Sequence, residues 1–270
     1  WPGCSRPPTT PSGAWKGPYG PALRWQNRQG APVPVADMEV TAIIPVYNDR
    51  EALAAALPQS IETLGRITGR FEIIVAEDGS TDGSPELVQG FSRTDPRVRL
   101  LHSDERLGRG RALDRAITEA GGSIVCYYDV DLATGMQHLP ELIGAIRSGA
   151  DVATGSRLLP QSDSRRTGGR EIASRGYNFL VRLILGSRVH DHQCGFKAFR
   201  KERILPVLPS IRAYHWFWDT ELLVRCQRMG YTVAELPVRW RPGKGTTVKL
   251  NDVFAMGSSI LRLWWQLHVP

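Results

Sequence analysis

The chain has 270 residues, of which 41% are hydrophobic, and it carries a formal net charge of +7 with a pI of about 9.5. These values fit one large globular domain with appendages and exclude a chain too polar to bury a core. The basic balance suits an anionic partner, such as a nucleotide diphosphate, a lipid phosphate, an anionic membrane surface or nucleic acid.

The four cysteines are scattered along the chain, with neither C-x-x-C spacing nor a zinc-finger cluster of Cys and His. Scattered cysteines of this kind indicate reduced thiols and an intracellular compartment. No apolar run reaches the roughly 18 uncharged residues that a transmembrane helix needs, so no such helix is predicted.

Residues 1–36 are rich in Pro, Gly, Ser and Thr without helical or strand periodicity, which predicts a disordered tail. From Glu39 onward, apolar runs alternate with helical patterns. Predicted strands cover 40–46, 71–76, 98–102, 123–129 and 151–155, and predicted helices cover 50–64, 84–92, 110–120 and 137–148. This alternation predicts an α/β fold of the Rossmann-like kind, with a mainly parallel sheet and helices on both faces.

The second half of the chain is more mixed. Its predicted elements are a polar, Arg-rich loop (158–169), a helix (171–185), a strand (195–200), a helix (218–229), a strand (232–240) and an amphipathic helix (251–267). We therefore expect three parts, namely the tail (1–36), a folded α/β domain (37–250) and a C-terminal amphipathic helix (251–270).

Polar residues follow four predicted strands, at the edge where a doubly wound sheet binds its ligand. The central motif is Y-Y-D-V-D, in which Asp129 and Asp131 come directly after an apolar strand. Two carboxylates at this spacing suit Mg²⁺ or Mn²⁺ bridging to diphosphate oxygens. A helix N-cap or a solvated loop is the alternative for an isolated D-x-D, although its place after a buried strand and beside a second acidic motif favours a metal site.

The preceding strand ends supply candidates for a nucleotide site. Asp78 in E-D-G-S is placed to meet a base or ribose, and Gly79 lets the backbone turn tightly. Pro45, Tyr47 and Asp49 could wall the same pocket, with Tyr47 stacking on a base. A plain turn capped by Asp is the alternative for the Asp78 motif, and a structural role is the alternative for each of the other three residues.

Several basic residues are candidates for phosphate contacts. Arg109 lies in L-G-R-G-R-A, which resembles a phosphate-binding loop opening a helix, although a flexible helix start is the alternative. Lys244 lies in a Gly-rich segment that could close over a diphosphate. Arg157, Arg170 and Arg175 belong to a basic stretch whose arginines could bind phosphate bidentately or form a solvated surface.

Five motifs occur in order, namely I-I-P-V-Y-N-D, E-D-G-S-T-D-G, D-V-D, G-S-R and D-H-Q-C-G-F-K. Together they resemble family-2 glycosyltransferases of the GT-A fold over residues 40–250. More narrowly, they resemble the dolichyl- and polyprenyl-phosphate sugar synthases. The segments W-F-W-D-T-E-L-L (216–223) and P-V-R-W (237–240) are most similar to the dolichyl-phosphate β-glucosyltransferase branch.

The resemblance implies inverting transfer of a hexose, glucose or mannose, from UDP-glucose or GDP-mannose to a polyprenyl or dolichyl phosphate. It implies that Pro45, Tyr47 and Asp78 contact the nucleotide. It also implies that Asp129 and Asp131 hold the metal and the diphosphate, and that Arg157 and Arg170 hold the acceptor phosphate. One departure is Ala133, which stands where some relatives have a Gln that could bind the metal.

Two amphipathic segments, within 171–185 and 251–267, combine large apolar residues with arginines. This pattern suits helices lying on an anionic membrane, and core packing is the alternative. We therefore expect peripheral contact with the cytoplasmic face of a membrane.

Two other functions compete with this one. A glycosyltransferase acting on a sugar or small-molecule hydroxyl would need a carboxylate base, for which Asp191, Asp219 and Glu221 are candidates. A non-catalytic, nucleotide-binding module at the membrane is the other alternative. Nucleic acid is not expected as a partner, because the D-x-D carboxylates would repel a phosphate backbone unless metal intervened.

Overall fold

The computed structural model describes residues 38–165, 168–242 and 250–269. The predicted disordered tail, residues 1–36, lies outside the described residues. Among the described residues, no helix combines the length and apolar character needed to cross a membrane.

The centre of the fold is a seven-stranded sheet. Its strands are β1 (Val40–Val46), β2 (Phe71–Glu77), β3 (Val98–Leu101), β4 (Ile124–Tyr128), β5 (Val152–Ser156), β7 (Phe196–Arg200) and β8 (Val233–Pro237). Their order across the sheet is β3-β2-β1-β4-β7-β5-β8. All pair in parallel except β7, which runs antiparallel to β4 and β5. Two short strands, β6 (Asp163–Ser164) and β9 (Arg239–Trp240), form a separate parallel pair.

Helices cover both faces of this sheet, as the sequence predicts. They are α1 (Arg50–Ile67), α2 (Ser84–Thr94), α3 (Arg109–Glu119), α4 (Leu139–Arg147), α5 (Gly168–Leu185), α6 (Lys201–Ile204), α7 (Trp218–Arg228) and α8 (Leu250–His268). Because side chains alternate along a strand, β1 sends Ala42 and Ile44 to a core with α1, α2 and α4. It sends Ile43 to a second core with α3 and α7. The predicted fold class is therefore confirmed.

A third, smaller core joins α5 and α8 to α7. Tyr177 and Val181 of α5 pack with Ile260 and Leu263 of α8 and with Val224 of α7. The helical periodicity of α5 and α8 thus buries one stripe of each helix and leaves the opposite stripe in solvent.

The single strand predicted over 232–240 is wrong in one respect. Val238 separates β8 from β9, because β8 pairs with β5 in the main sheet whereas β9 pairs with β6. Neither the two-residue strand β6 nor the four-residue helix α6 was predicted, since elements of that length carry too few residues to show periodicity. The predicted loop 158–169 accordingly contains β6 and the first residues of α5.

Candidate active site

The D-x-D motif forms a tight turn at the carboxyl end of β4. Asp131 Oδ1 accepts a hydrogen bond from the Ala133 amide at 3.0 Å. Leu132, between Asp131 and Ala133, has a φ of 48°, a left-handed conformation that costs energy for a residue with a side chain. The backbone of this turn is therefore strained where it places both carboxylates at the edge of the sheet.

Asp129 is fixed by two neighbours from other parts of the chain. Arg109, at the start of α3, donates from Nη2 to Asp129 Oδ1 at 2.8 Å. The Asp129 amide donates to the Gly195 carbonyl at 3.2 Å. A Cβ atom at Gly195 would lie 2.0 Å from Asp129 Oδ2, so any other residue here would force this carboxylate out of its observed position.

Behind Asp129 lies a buried charge network centred on Asp219, in the first turn of α7. Arg109 Nη1 donates to Asp219 Oδ2 at 2.7 Å, and Lys197 Nζ donates to Asp219 Oδ1 at 2.9 Å. The hydroxyl of Tyr127, in β4, also donates to Asp219 Oδ1. Burial alone would raise the pKa of Asp219, but Lys197 and Arg109 outweigh it and hold this pKa below its ordinary value.

Arg157, at the end of β5, is held by Asp191, which is fully buried. Arg157 Nε and Nη2 donate to the two carboxylate oxygens at 2.6 and 2.8 Å, and its amide donates at 3.0 Å. Although burial alone would lower it, the Asp191 carboxylate raises the pKa of Arg157 above its ordinary value. The guanidinium is thus permanently charged and fixed in direction.

Asp78 organises the loop that precedes α3. Its two carboxylate oxygens accept the amides of Leu107 and Gly108 at 2.7 and 2.9 Å. Gly79 has a φ of 78°, and a Cβ there would lie 2.9 Å from the Arg106 nitrogen. Both residues therefore stabilise the conformation of this loop, and the predicted contact of Asp78 with a nucleotide stays a prediction.

The wall predicted around the nucleotide starts at the end of β1. Tyr47 is half-exposed, and the Arg106 guanidinium lies 3.8 Å from the centre of its ring. Pro45 pairs with β2 and is partly buried. Asp49 caps α1 by accepting the Ala52 amide at 3.3 Å, which is a structural role, the alternative that the sequence left open for it.

The two loops that follow β1 and β2 are joined by hydrogen bonds. The backbone amide of Asn48 donates to Ser80 Oγ at 2.9 Å, and the side-chain oxygen of Asn48 accepts the backbone amide of Thr81 at 2.8 Å. Asp82 accepts the Arg50 amide at 2.8 Å. The two loops of the candidate nucleotide wall are therefore held together by hydrogen bonds.

The donor set at the D-x-D motif fits a divalent cation. Asp131 is exposed, yet partial desolvation and then repulsion from Asp129 and Asp49 raise the pKa of its carboxylate. A cation would relieve that repulsion, and Mg²⁺ commonly takes one or two carboxylates with substrate phosphates and water as its other ligands. Thr134 is buried with its hydroxyl 4.0 Å from the Cys194 sulfur. No group of three or more His, Cys, Asp and Glu suited to a metal occurs in the part of the chain that the structure describes.

Three basic residues that were predicted to contact phosphate have no described contact with the D-x-D motif. Lys244 and the side chain of Arg170 lie outside the described residues. Arg175 is exposed on α5 and pairs with Glu171 at 2.9 Å. Their predicted contacts with phosphate therefore stay predictions.

Sequence reasoning gave no structural role to Lys197, Tyr127 or Arg106, and considered Asp219 and Asp191 only as possible bases. A charged residue inside an apolar strand was the available signal for Lys197, which is fully buried in β7. The partners of Asp219 lie 22 to 110 residues away in sequence, so spacing could not reveal them.

Comparisons with known proteins agree with this architecture. The family model described as "Glycosyl transferase family 2" matches residues 41–204. Glycosyltransferase AglD of Haloferax volcanii is 48% identical over 90% of this chain, which spans 40% of the length of that relative. Dolichyl-phosphate beta-glucosyltransferase ALG5C of Trichomonas vaginalis is 28% identical, and the match covers 84% of this chain and 71% of the length of that relative.

A solved structure shares the fold. Glucosyl-3-phosphoglycerate synthase from Mycobacterium tuberculosis, in complex with Mn²⁺, UDP and glucosyl-3-phosphoglycerate, superposes with a TM-score of 0.62. It is 19% identical, and the match covers 90% of this chain and 86% of that one. At this identity the similarity shows the fold alone.

Proposed function

Because this chain belongs to glycosyltransferase family 2, we propose that it transfers a hexose from a nucleotide-diphosphate sugar to a polyprenyl or dolichyl phosphate. The donor is UDP-glucose or GDP-mannose, and the product is a β-linked lipid-phosphate sugar formed with inversion. The names of its relatives support a lipid phosphate as acceptor.

One observation favours a phosphate acceptor over a hydroxyl acceptor, namely that each carboxylate considered as a general base is already occupied. The three are buried and bound by cationic side chains. Asp191 is bound by Arg157, Asp219 by Arg109 and Lys197, and Glu221 by Arg225. A hydroxyl acceptor must lose a proton to a base, whereas a phosphate acceptor is already ionised near neutral pH and needs none.

The reaction then requires positioning and charge stabilisation from the protein. A phosphate oxygen of the lipid attacks the anomeric carbon and forms the new C–O bond. The bond from that carbon to the diphosphate breaks, and its electron pair leaves with the nucleoside diphosphate. Arg157 uses two of its five N–H donors on Asp191, which leaves others for an acceptor phosphate.

Asp129 and Asp131 would hold a Mg²⁺ or Mn²⁺ ion on the donor side. When bound, the ion supplies charge that offsets the negative charge developing on the leaving diphosphate. The Arg109 guanidinium, beside Asp129, adds positive charge at the same edge of the sheet. Arg157 would hold the acceptor phosphate, so positive charge would face the phosphate groups of both substrates.

An exposed apolar face suits the lipid part of the acceptor and a membrane surface. We define it as the lipid face, formed by the solvent-facing stripes of α5 and α8. Phe179 and Leu183 on α5 are 61% and 67% exposed, and Trp265 on α8 is 62% exposed. Exposed arginines, Arg182 and Arg262, lie on the same helices, as in helices that bind anionic bilayers. The proposed location is therefore peripheral, on the cytoplasmic face of a membrane.

The test is a panel of radiolabelled UDP- and GDP-sugars offered with short polyprenyl phosphates in the presence of Mg²⁺ or Mn²⁺. We expect one sugar to be transferred to a polyprenyl phosphate and not to the same polyprenol without its phosphate. Asp131→Asn should reduce transfer strongly, whereas Glu72→Gln, at the opposite end of the sheet, serves as a matched carboxylate control.

Two outcomes would replace the proposal. Transfer to a sugar hydroxyl with no transfer to any phosphate would favour a polysaccharide or small-molecule acceptor. Nucleotide binding without turnover of any donor would favour a non-catalytic module.

A further inference from the structure

We propose that Asp219 is a positioning residue that couples the donor side of the site to the acceptor side. It holds Arg109, and through Arg109 it fixes the Asp129 carboxylate. It also holds Lys197, and through Lys197 it fixes the loop that carries Asp191. This inference rests on the proposed function, because the two sides are defined by the two proposed substrates.

The donor branch runs through a single guanidinium. Arg109 donates from Nη1 to Asp219 Oδ2 at 2.7 Å and from Nη2 to Asp129 Oδ1 at 2.8 Å. A planar guanidinium held at both nitrogens cannot turn without breaking one of these bonds. The direction of the Asp129 carboxylate is therefore set partly by Asp219, which lies behind it and is almost fully buried.

The acceptor branch runs through a buried ammonium group. Lys197 Nζ donates to Asp219 Oδ1 at 2.9 Å and to the carbonyl oxygens of His192 and Cys194. These carbonyls belong to the same short loop as Asp191, the partner of Arg157. An ammonium group has three donors, and all three are used here, so Lys197 ties this loop to Asp219.

The position of Asp219 excludes it as a general base in this arrangement. Its oxygens receive three donors, namely Arg109, Lys197 and Tyr127. A base must present an oxygen to the proton that it removes, whereas both oxygens of Asp219 are directed at buried donors of the protein. The carboxylate instead compensates two buried cations that would otherwise be unpaired.

The experiment measures Mn²⁺ binding by electron paramagnetic resonance, with Mn²⁺ alone and then with Mn²⁺ and UDP. Asp219→Asn should weaken Mn²⁺ binding 10- to 100-fold, the usual effect of removing a residue that orients a metal ligand. Arg109→Lys should weaken it by a similar factor, because lysine keeps the positive charge but loses the planar group that holds Asp219 and Asp129 together. The double variant should bind no more weakly than Arg109→Lys alone, because both changes break one chain of contacts.

Glu72→Gln is the matched control. Glu72 is also buried and also paired with an arginine, Arg99 at 2.6 Å, but it lies in the first half of β2, away from the D-x-D edge. We expect this variant to bind Mn²⁺ as the unmodified protein does. If Asp219→Asn does not fold, Arg109→Lys tests the donor branch by itself, since Arg109 keeps a solvent-exposed edge.

Three results would overturn the proposal. Unchanged Mn²⁺ binding in Arg109→Lys would show that Arg109 does not fix Asp129. Multiplicative effects in the double variant would show that Asp219 does not act through Arg109. Normal Mn²⁺ binding in Asp219→Asn, with kcat abolished and the acidic limb of the pH profile lost, would make Asp219 a base. These binding measurements need no sugar or lipid, so an incorrect acceptor assignment would leave them unaffected.

Discussion

Replacement of Gly195 by alanine should disable the donor side without unfolding the protein. The new Cβ would lie 2.0 Å from Asp129 Oδ2, 2.4 Å from its Cγ and 2.6 Å from Oδ1. Ordinary contacts between carbon and such atoms begin above 3 Å, so the carboxylate must move by about 1 Å. A displacement of about 1 Å at a reacting site can lower the rate about 100-fold.

The assay compares kcat/KM for the donor in Gly195→Ala and in the unmodified protein at saturating metal, together with thermal unfolding of each. Gly144→Ala is the control, because a Cβ at this position in α4 meets nothing within 4 Å. Alanine there should leave kcat/KM unchanged and stabilise the helix by up to about 1 kcal/mol. A Gly195→Ala variant with kcat/KM within twofold of the unmodified protein would refute the close fit between Gly195 and Asp129.

Three further predictions concern other parts of the molecule. Burial raises the pKa of Asp114 to about 7. Because the folded pKa exceeds the unfolded one, the contribution of Asp114 to stability should fall as pH rises from about 4 to 7, by at most about 1.4 kcal/mol per pH unit. The difference in the free energy of unfolding in urea between the unmodified protein and Asp114→Asn should therefore change across this pH range, and a constant difference would contradict the prediction. Arg157→Lys keeps the charge but loses the two-pronged contact with Asp191, so kcat/KM for the phosphate acceptor should fall at least about tenfold; an unaltered value would contradict the role of Arg157. Replacing Phe179, Leu183 and Trp265 by serine should reduce sedimentation with anionic vesicles while thermal stability is retained, and undiminished binding would exclude the lipid face.

The sequence predicts the sheet and the D-x-D position well because both depend on local patterns. Apolar strands bounded by turn residues place β1, β2 and β4 within a residue or two of their observed ends. Asp129 and Asp131 could be located because they follow such a strand directly. The family prediction is confirmed by the match of the family model over residues 41–204.

The hydrogen-bond partners of the site residues could not be predicted in the same way. Asp78 was expected to face a nucleotide, yet both of its oxygens accept amides from a loop some 30 residues later. Asp191 was considered as a base, yet it is fully buried and orients Arg157. Such pairings depend on how distant segments meet, which a pattern along one segment does not contain.

The reversed direction of β7 has a consequence for how the two substrates are handled. Because β7 is antiparallel, its first residue pairs with the last residue of β4, Phe196 with Tyr128. The segment just before β7 therefore reaches the edge where the other strands end. In the proposed reaction, the carboxylates that hold the metal lie in the chain up to Asp131, and the acceptor phosphate is held by the chain from Arg157 to Asp191. The residues proposed for the two substrates thus lie in separate stretches of sequence, so changes between Arg157 and Asp191 that leave Gly195 and Asp219 in place can alter the acceptor while the nucleotide side is preserved.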